Sequence, residues 1–154
     1  MKLGIVCVGR LRKGPEKALV DDYLDRFAKA GRSLGLPPAT LTELDARGAG
    51  QAAEGALIAR ALPPGALRVV LDERGAQLTS PDFAARLGDW RDGARDVALV
   101  IGGADGLAPD LRDGADLAIS FGAMVWPHML VRVMLAEQLY RAASILANGP
   151  YHRV

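Results

Sequence analysis

Metal ligands, disulfide partners and long apolar runs are all scarce in this sequence. Its 154 residues include a single cysteine, Cys7, and two histidines. One cysteine gives no intrachain disulfide, and so few Cys and His residues give no zinc-type ligand cluster. No uncharged apolar run reaches the roughly 18 residues that a membrane-spanning helix needs. We therefore expect a protein of the reducing cytoplasm that needs no metal and does not cross a membrane.

A strong excess of positive charge is also missing. Lys and Arg number 19 against 18 Asp and Glu, for a net charge of +1, which argues against a broad electrostatic surface for nucleic acid. Basic residues nevertheless cluster after the first apolar run, at Arg10, Arg12, Lys13 and Lys17, a pattern equally typical of a solvated loop. The N-terminal apolar run, only about six residues long and without a cleavage site, predicts a strand and not a signal peptide.

Buried-strand patterns alternate with helical patterns along the chain. Apolar, β-rich runs predict strands over 2–8, 40–44, 67–72, 96–101 and 117–120. Helical spacing and breakers predict helices over 16–29, 51–62, 80–90, 109–114 and 128–146. In the third of these helices Ser80 is the predicted cap and Pro81 the first residue. The alternation predicts one α/β domain, residues 1–154, around a mostly parallel sheet.

The last helix is apolar almost all round. Its polar stripe is narrow and consists of Glu137, Gln138, Arg141 and Ser144. Such a helix must be buried on more than one side, and in so short a chain we expect the second cover to be another subunit. Arg132 in this apolar setting needs a carboxylate, a carbonyl or an RNA phosphate as partner. Glu137 and Arg141, four residues apart, are expected to form a local ion pair.

Three loops follow predicted strands and carry turn-forming residues. They are VLDERG at 70–75, IGGADGL at 101–107 and SFGAMVWPH at 120–128. Neither the Walker A motif nor the Rossmann fingerprint is present, and each loop alone is an ordinary turn. Open α/β sheets bind ligands at the carboxyl ends of their strands. The three loops together therefore predict a binding pocket at that edge.

Several motifs, in order, resemble the ribosomal RNA large subunit methyltransferase H family, which are small SPOUT methyltransferases. The matching stretches are MKLGIVCVG, VVLDERG, LVIGGADGL, PHMLVRVMLAEQLYRA and the terminal PYHRV, and the resemblance covers the whole chain. It implies a mostly parallel sheet with helices on both faces and a C-terminal trefoil knot. It also implies a homodimer that uses S-adenosylmethionine, and no metal, to methylate N3 of a pseudouridine in the helix 69 loop of 23S ribosomal RNA, on assembled ribosomes.

The resemblance also implies which residues surround the cofactor. They are Leu71, Gly102, Phe121, Gly122, Ala123, Met124, Val125 and Trp126. The family usually has Thr-Leu before Pro-His, whereas this chain has Val-Trp, so backbone contacts can persist but a contact through a Thr hydroxyl cannot. We expect Gly102 to lie against the ligand, where a Cβ would intrude.

Catalytic and RNA-binding candidates lie at the ends of the chain and at the start of the last helix. Candidates for catalysis are His152, His128 and Arg132, and candidates for RNA contact are Tyr151, His152, Arg153, Arg10, Arg12 and Lys13. The terminal residues could serve their own subunit's site or the partner's, and a frayed end is the plainer interpretation. Two other functions stay open: a SPOUT-like methyltransferase with another RNA target, and a non-catalytic ribosome-associated binding module.

Overall fold

The computed structural model describes residues 1–153, and its centre is a five-stranded sheet. The strands are β1 (Leu3–Val8), β2 (Ala39–Leu44), β3 (Leu67–Ala76), β4 (Val97–Ile101) and β5 (Leu117–Ile119). Their order across the sheet is β2-β1-β4-β3-β5, and every pairing between them is parallel. The predicted parallel α/β architecture is thus confirmed, and the carboxyl ends of all five strands lie at one edge.

Helices cover both faces of the sheet. They are α1 (Pro15–Gly31), α2 (Gly50–Ala61), α3 (Ser80–Asp92), α4 (Pro109–Asp113) and α5 (His128–Leu146), with one turn of 3₁₀ helix at Arg32–Leu34. One buried cluster joins alternate strand residues to α1, α3 and α5. A second joins the other strand residues to α2 and α4. The helices on both faces are as predicted, whereas the trefoil knot stays a prediction.

The first strand shows why the sheet is buried on both faces. Leu3, Ile5 and Cys7 belong to the cluster under α5, and Val6 and Val8 belong to the opposite cluster. This alternation follows from the two-residue period of a strand. Burial raises the pKa of the Cys7 thiol to about 11, since the desolvated thiolate is disfavoured. The thiol is therefore protonated at neutral pH, and packing is the role that its position supports.

Two predicted boundaries are wrong. Thr79, not Ser80, caps α3: its hydroxyl oxygen accepts from the backbone N–H of Asp82, and the Asp82 carboxylate accepts in return from the Thr79 N–H. This reciprocal capping box satisfies two free donors, which a cap at Ser80 would not do. The predicted turn after Asp72 is instead a continuation of β3, because Ala76 pairs with Ile119 beyond an irregularity in the register.

The long helix α5 lies against α1 and α3 over the sheet, so these two helices supply much of its cover. Its bounds are those predicted. The second subunit that was expected as further cover stays a prediction. At its start, however, Met129 and Leu130 point outward and are exposed. Within residues 1–153, no helix is long and apolar enough to span a bilayer.

Candidate functional site

A cleft of about 630 Å³ lies at the carboxyl edge of the sheet. The loops after β3, β4 and β5 form its walls, as the three-loop pattern predicted. Of the residues predicted to surround a cofactor, the ones that line it are Leu71, Gly102, Phe121, Gly122, Met124, Val125 and Trp126. Ala123 is exposed in the same loop and is absent from the lining.

The glycines of the loop after β4 are required by the loop's own packing. A Cβ on Gly102 would lie 2.9 Å from the backbone of Gly106, and Gly106 itself has φ +76°. The predicted reason for Gly102, close approach of a ligand, is therefore not needed to explain it. Gly102→Val would distort the loop whether or not a ligand binds, so it is a poor probe of the cleft.

The first wall of the cleft carries a fixed ion pair. The Asp72 carboxylate accepts from the backbone N–H of Arg74 at 2.9 Å and from its Nε at 3.1 Å. Burial alone would raise the pKa of Asp72, but the hydrogen bonds from Arg74 outweigh it and hold the pKa below its ordinary value. Both residues line the cleft. The Arg74 side chain is exposed and the Asp72 side chain is buried, so this wall offers mainly the guanidinium, which Asp72 holds in place.

The third loop is tied to the first by Ser120. Its hydroxyl oxygen lies 3.0 Å from the carbonyl oxygen of Glu73 and accepts from the Gly122 N–H at 3.0 Å. Gly122 has φ +123°, a conformation that side chains rarely adopt. Beyond it, Met124 and Val125 are 75% and 81% exposed. A rigid loop therefore holds apolar side chains out into solvent, which is typical of a surface that is covered by a partner.

His128 begins α5 and lies between two clefts. Burial lowers its pKa below the ordinary 6.5, the Arg132 charge lowers it further, and Glu54 opposes the shift. The imidazole is therefore neutral at pH 7 and able to accept a hydrogen bond or a proton. Its place in the wall of the cofactor-sized cleft keeps it among the catalytic candidates.

A pH-dependent loss of stability should follow from His128. Because its pKa is lower in the folded protein than in the unfolded chain, the unfolded chain binds the proton first as pH falls. The free energy of unfolding should therefore decrease from about pH 6.5 downward until the folded imidazole itself is protonated. Urea unfolding across this range should show the decrease in the wild type and a smaller one in His128→Asn, and parallel curves would contradict the assignment.

The second cleft, of about 540 Å³, adjoins the first and has a larger share of charged residues in its lining. The two share Gly103, Ala104 and His128. The charged residues that line the second cleft are Arg10, Arg12, Arg47, Glu43, Asp45 and Glu54. Two of the three predicted basic contacts, Arg10 and Arg12, are thus brought to a cleft, whereas Lys13 is exposed outside it.

Glu54 is a residue of this site that sequence reasoning missed. Its Oε2 atom is buried and has no hydrogen-bond partner within the described part of the chain. The carboxylate lies over Gly103, where a Cβ would be only 2.7 Å from Oε2. In the sequence it is one carboxylate in a helix of mixed residues, and no local pattern distinguishes it from a solvated one.

Arg132 is the centre of a buried ion pair and not a solvent-facing group. Its side chain is 1% exposed, and Nη1 donates to Glu43 Oε2 at 2.9 Å. Nη2 lies 3.1 Å from the carbonyl oxygens of both Val8 and Gly9. The predicted carboxylate and carbonyl partners are therefore present. These partners occupy Nη1 and Nη2 and support a structural role, whereas Nε is buried without a hydrogen-bond partner in residues 1–153. A catalytic role for Arg132 stays a prediction.

The C-terminal residues are packed onto α5, so the frayed-end interpretation is wrong for Tyr151 and His152. The Tyr151 ring lies 4.6 Å from that of Tyr140, and its hydroxyl donates to Glu137 Oε1 at 3.0 Å. His152 Nδ1 lies 3.3 Å from Arg141 Nη1. Arg141 also pairs with Glu137, as predicted. None of residues 147–153 lines either cleft.

Helix geometry gives the axial distance between His128 and the residues of α5 that hold the tail. The residues that hold the tail begin nine positions after His128, which corresponds to about 14 Å along the helix axis. Arg153 is exposed. Along α5, the residues that hold the tail are therefore separated from His128.

No group of three or more potential metal ligands occurs within residues 1–153.

Comparisons with known proteins agree on one family. A family model described as Predicted SPOUT methyltransferase matches residues 1–152. A ribosomal RNA large subunit methyltransferase H from Paracoccus denitrificans (strain Pd 1222) is 71% identical over 154 residues, which cover 99% of each chain.

Further relatives agree in length and fold. A protein of the same name from Ruegeria pomeroyi is 66% identical over 156 residues, which cover 100% of each chain. Among solved structures, a probable methylase family protein from Haemophilus influenzae Rd KW20 aligns with a TM-score of 0.53 and 13% identity, over 99% of this chain and 70% of that one. At that identity the likeness shows the fold alone.

Proposed function

Because the chain belongs to the SPOUT methyltransferase family, we propose that it methylates N3 of a pseudouridine in the helix 69 loop of 23S ribosomal RNA. S-adenosylmethionine is the methyl donor, and the assembled ribosome presents the RNA. The observation that carries this proposal is the junction of two clefts at Gly103, Ala104 and His128. One cleft suits a small cofactor and the other suits part of a polyanion, and methyl transfer requires both reactants at one point.

The larger cleft fits S-adenosylmethionine in size and chemistry. Its volume of about 630 Å³ lies within the usual range of small-molecule sites. Leu71, Ile119 and Phe121 provide apolar walls for an adenine ring, and the backbone of the third loop provides hydrogen-bonding groups for its edge. The Val125-Trp126 pair, where the family usually has Thr-Leu, leaves these backbone contacts available. The cofactor supplies an electrophilic methyl group on a sulfonium sulfur.

The chain's own residues orient the acceptor nitrogen and take its proton. Neutral His128 lies where the two clefts meet, and Arg10 and Arg12 at the second cleft can bind RNA phosphates. We assign Tyr151, His152 and Arg153 to the acceptor site of another subunit, because none of them lines a cleft of its own chain. The functional unit is therefore a homodimer in which each tail serves the partner's site.

Exposed apolar residues at the mouth of the cofactor cleft support such a dimer. Met124, Val125, Trp126, Met129 and Leu130 are all exposed in one short stretch. Substituting both Met129 and Leu130 by Asp should give a folded monomer, because charged groups would be buried at the interface. Light scattering at micromolar concentration measures this, with Ala59→Asp on the opposite face as control. A wild type that is already monomeric would contradict the dimer.

The decisive experiment on function is product mapping. Methylated nucleosides in 23S ribosomal RNA should be mapped by mass spectrometry in cells with and without the gene, and the purified enzyme should restore the missing methyl group on ribosomes from the deletion strain. A different modified nucleoside would indicate a related methyltransferase with another RNA target. No change in modification, together with no S-adenosylmethionine binding by calorimetry, would indicate a binding module.

A further inference from the structure

Glu54 presents a carboxylate oxygen with an unmet hydrogen-bonding requirement. Oε2 is buried without a partner in residues 1–153. A buried acceptor left without a donor costs roughly 1–3 kcal/mol, more when it is charged. Most buried polar atoms in folded proteins have a partner, so such an orphan calls for an explanation. Because Glu54 also lines the second cleft, a rotation of its carboxylate would bring this oxygen to an N–H or O–H donor of a ligand bound there.

The position of Glu54 limits which cleft its ligand can occupy. Glu54 lines the second cleft and is absent from the lining of the cofactor cleft. Its carboxylate rests on Gly103, which lines both. A ligand in the second cleft that donates a hydrogen bond to Glu54 therefore lies next to the ligand of the first cleft. In the proposed function, this position beside the cofactor is the position of the methyl acceptor.

The second cleft has the dimensions and charge pattern of a nucleotide site. Its volume is about 540 Å³, and small-molecule sites span roughly 300–1,000 Å³. Arg10, Arg12 and Arg47 line it together with Glu43 and Asp45. Arg47 pairs with Asp45 at 3.1 Å, so Arg10 and Arg12 are the residues that we assign to phosphates. Glu54 and His128 line the same cleft beside Gly103 and offer acceptors for the edge of a base. A phosphate-binding set and a base-reading set thus occur in one cavity.

We propose that the second cleft holds the acceptor nucleotide and that Glu54 accepts the hydrogen bond of the base's N3–H and takes that proton during methyl transfer. This inference rests on the proposed function. The chemistry of the base supports it: the uracil-type edge has an N–H donor between two carbonyl groups, and a carboxylate acceptor matches that donor. An ammonium group of the cofactor is the less suitable partner, because Glu54 faces the other cleft.

The step conserves atoms and charge. N3 forms a bond to the methyl carbon while the methyl–sulfur bond breaks, and the electron pair of that bond stays on sulfur, which becomes a neutral thioether. The N3 proton passes to the Glu54 carboxylate. The charged and titratable groups around Glu54 in this cleft are Arg10, Arg12, Glu43, Asp45, Arg47 and His128. His128, neutral at pH 7, is then free to orient the base.

Glu54→Gln is the first test, measured in single turnovers on ribosomes that lack the modification. It keeps the shape of the side chain and an oxygen acceptor but cannot take a proton at neutral pH. We expect the methylation rate at pH 7 to fall by roughly 10²-fold or more, while S-adenosylmethionine affinity changes little. The deficit should shrink as pH rises, since the N3 proton is then lost to solvent without help. Asp89→Asn, an exposed carboxylate of α3, is the matched control.

A second variant tests the geometry without changing Glu54. Gly103→Ala places a Cβ where the Glu54 carboxylate lies, so it should displace Oε2 and lower the rate with a smaller effect on folding than a core substitution. A Glu54→Gln enzyme with the wild-type rate would overturn the proposal. So would a deficit that is constant across pH, or one explained by lost cofactor affinity. If the wild type itself transfers no methyl group to ribosomes, the proposed function fails and not this step alone.

Discussion

Deleting residues 151–154 should lower methylation of ribosomes by roughly 10²-fold or more while S-adenosylmethionine affinity stays near the wild-type value. A loss of this size is typical when a proton-transferring or orienting group is removed. The cofactor cleft is lined by residues between 51 and 131, so the deletion leaves its walls in place. Parallel calorimetry and ribosome methylation measure the two quantities on one preparation.

The packing of the tail demands a control for stability. Tyr151 stacks on Tyr140 and bonds Glu137, so the deletion removes a real contact and not a free end. Tyr151→Phe keeps the ring and removes only the hydroxyl, and it should retain most of the stability. If the truncated enzyme is folded, dimeric and as active as wild type, the tail is a packing element and has no part in binding or orienting the acceptor.

Two point substitutions test the separate roles of His152 and Arg153. His152→Ala should lower turnover, because it removes an imidazole that we expect to orient the base. Arg153→Ala should instead weaken ribosome binding and flatten its dependence on salt, because an Arg–phosphate contact releases counterions. Kinetics at two salt concentrations separate these outcomes.

Arg132→Met should cost roughly 3–5 kcal/mol in the free energy of unfolding, which is the usual penalty for breaking a buried ion pair by removal of one partner. Arg132 is the largest of the fully buried side chains, and its guanidinium satisfies Glu43 and two backbone carbonyls. In a domain of this size that loss corresponds to a drop in Tm of roughly 10 °C. Thermal and urea unfolding of the dimer at fixed concentration measure it.

A double variant tests the physical reason. In Arg132→Met combined with Glu43→Leu, no charge is left buried without a partner, so stability should recover part of the loss. A double variant less stable than the sum of the two single changes would mean that the pair acts through something other than charge compensation. An Arg132→Met enzyme as stable as wild type would show that the carboxylate is satisfied by water.

The elements that local chemistry determines were predictable, and the pairings between distant elements were not. The bounds 128–146 of α5 follow from its apolar pattern and from Pro127, and the alternation of strands and helices predicted a parallel sheet. Arg132 was expected to need a carboxylate or a carbonyl, but nothing local names Glu43, which lies 89 residues away. Glu54 was missed for the same reason, because its neighbours come from other elements.

The misplaced details have physical causes as well. Thr79 and Ser80 are both good caps in isolation, and only the reciprocal bond with Asp82 decides between them. Gly102 lines the cleft, so its approach to a ligand stays a prediction, and its missing Cβ also accommodates the backbone of Gly106. In both cases residue type alone allowed more than one explanation, and the three-dimensional neighbours supplied the missing information.

The Oε2 atom of Glu43 accepts two hydrogen bonds and thereby couples the local opening of two segments. Oε2 accepts from Arg132 and also, at 2.6 Å, from the backbone N–H of Leu11, next to the basic residues 10, 12 and 13. The basic segment and the first turns of α5 therefore share one acceptor, so neither can detach without disturbing the other. In hydrogen-exchange measurements the Leu11 amide should be protected like an interior amide, although it lies between exposed arginines. Under the proposed RNA contact of Arg10 and Arg12, this segment would already be ordered, so little conformational entropy would be left to lose on binding.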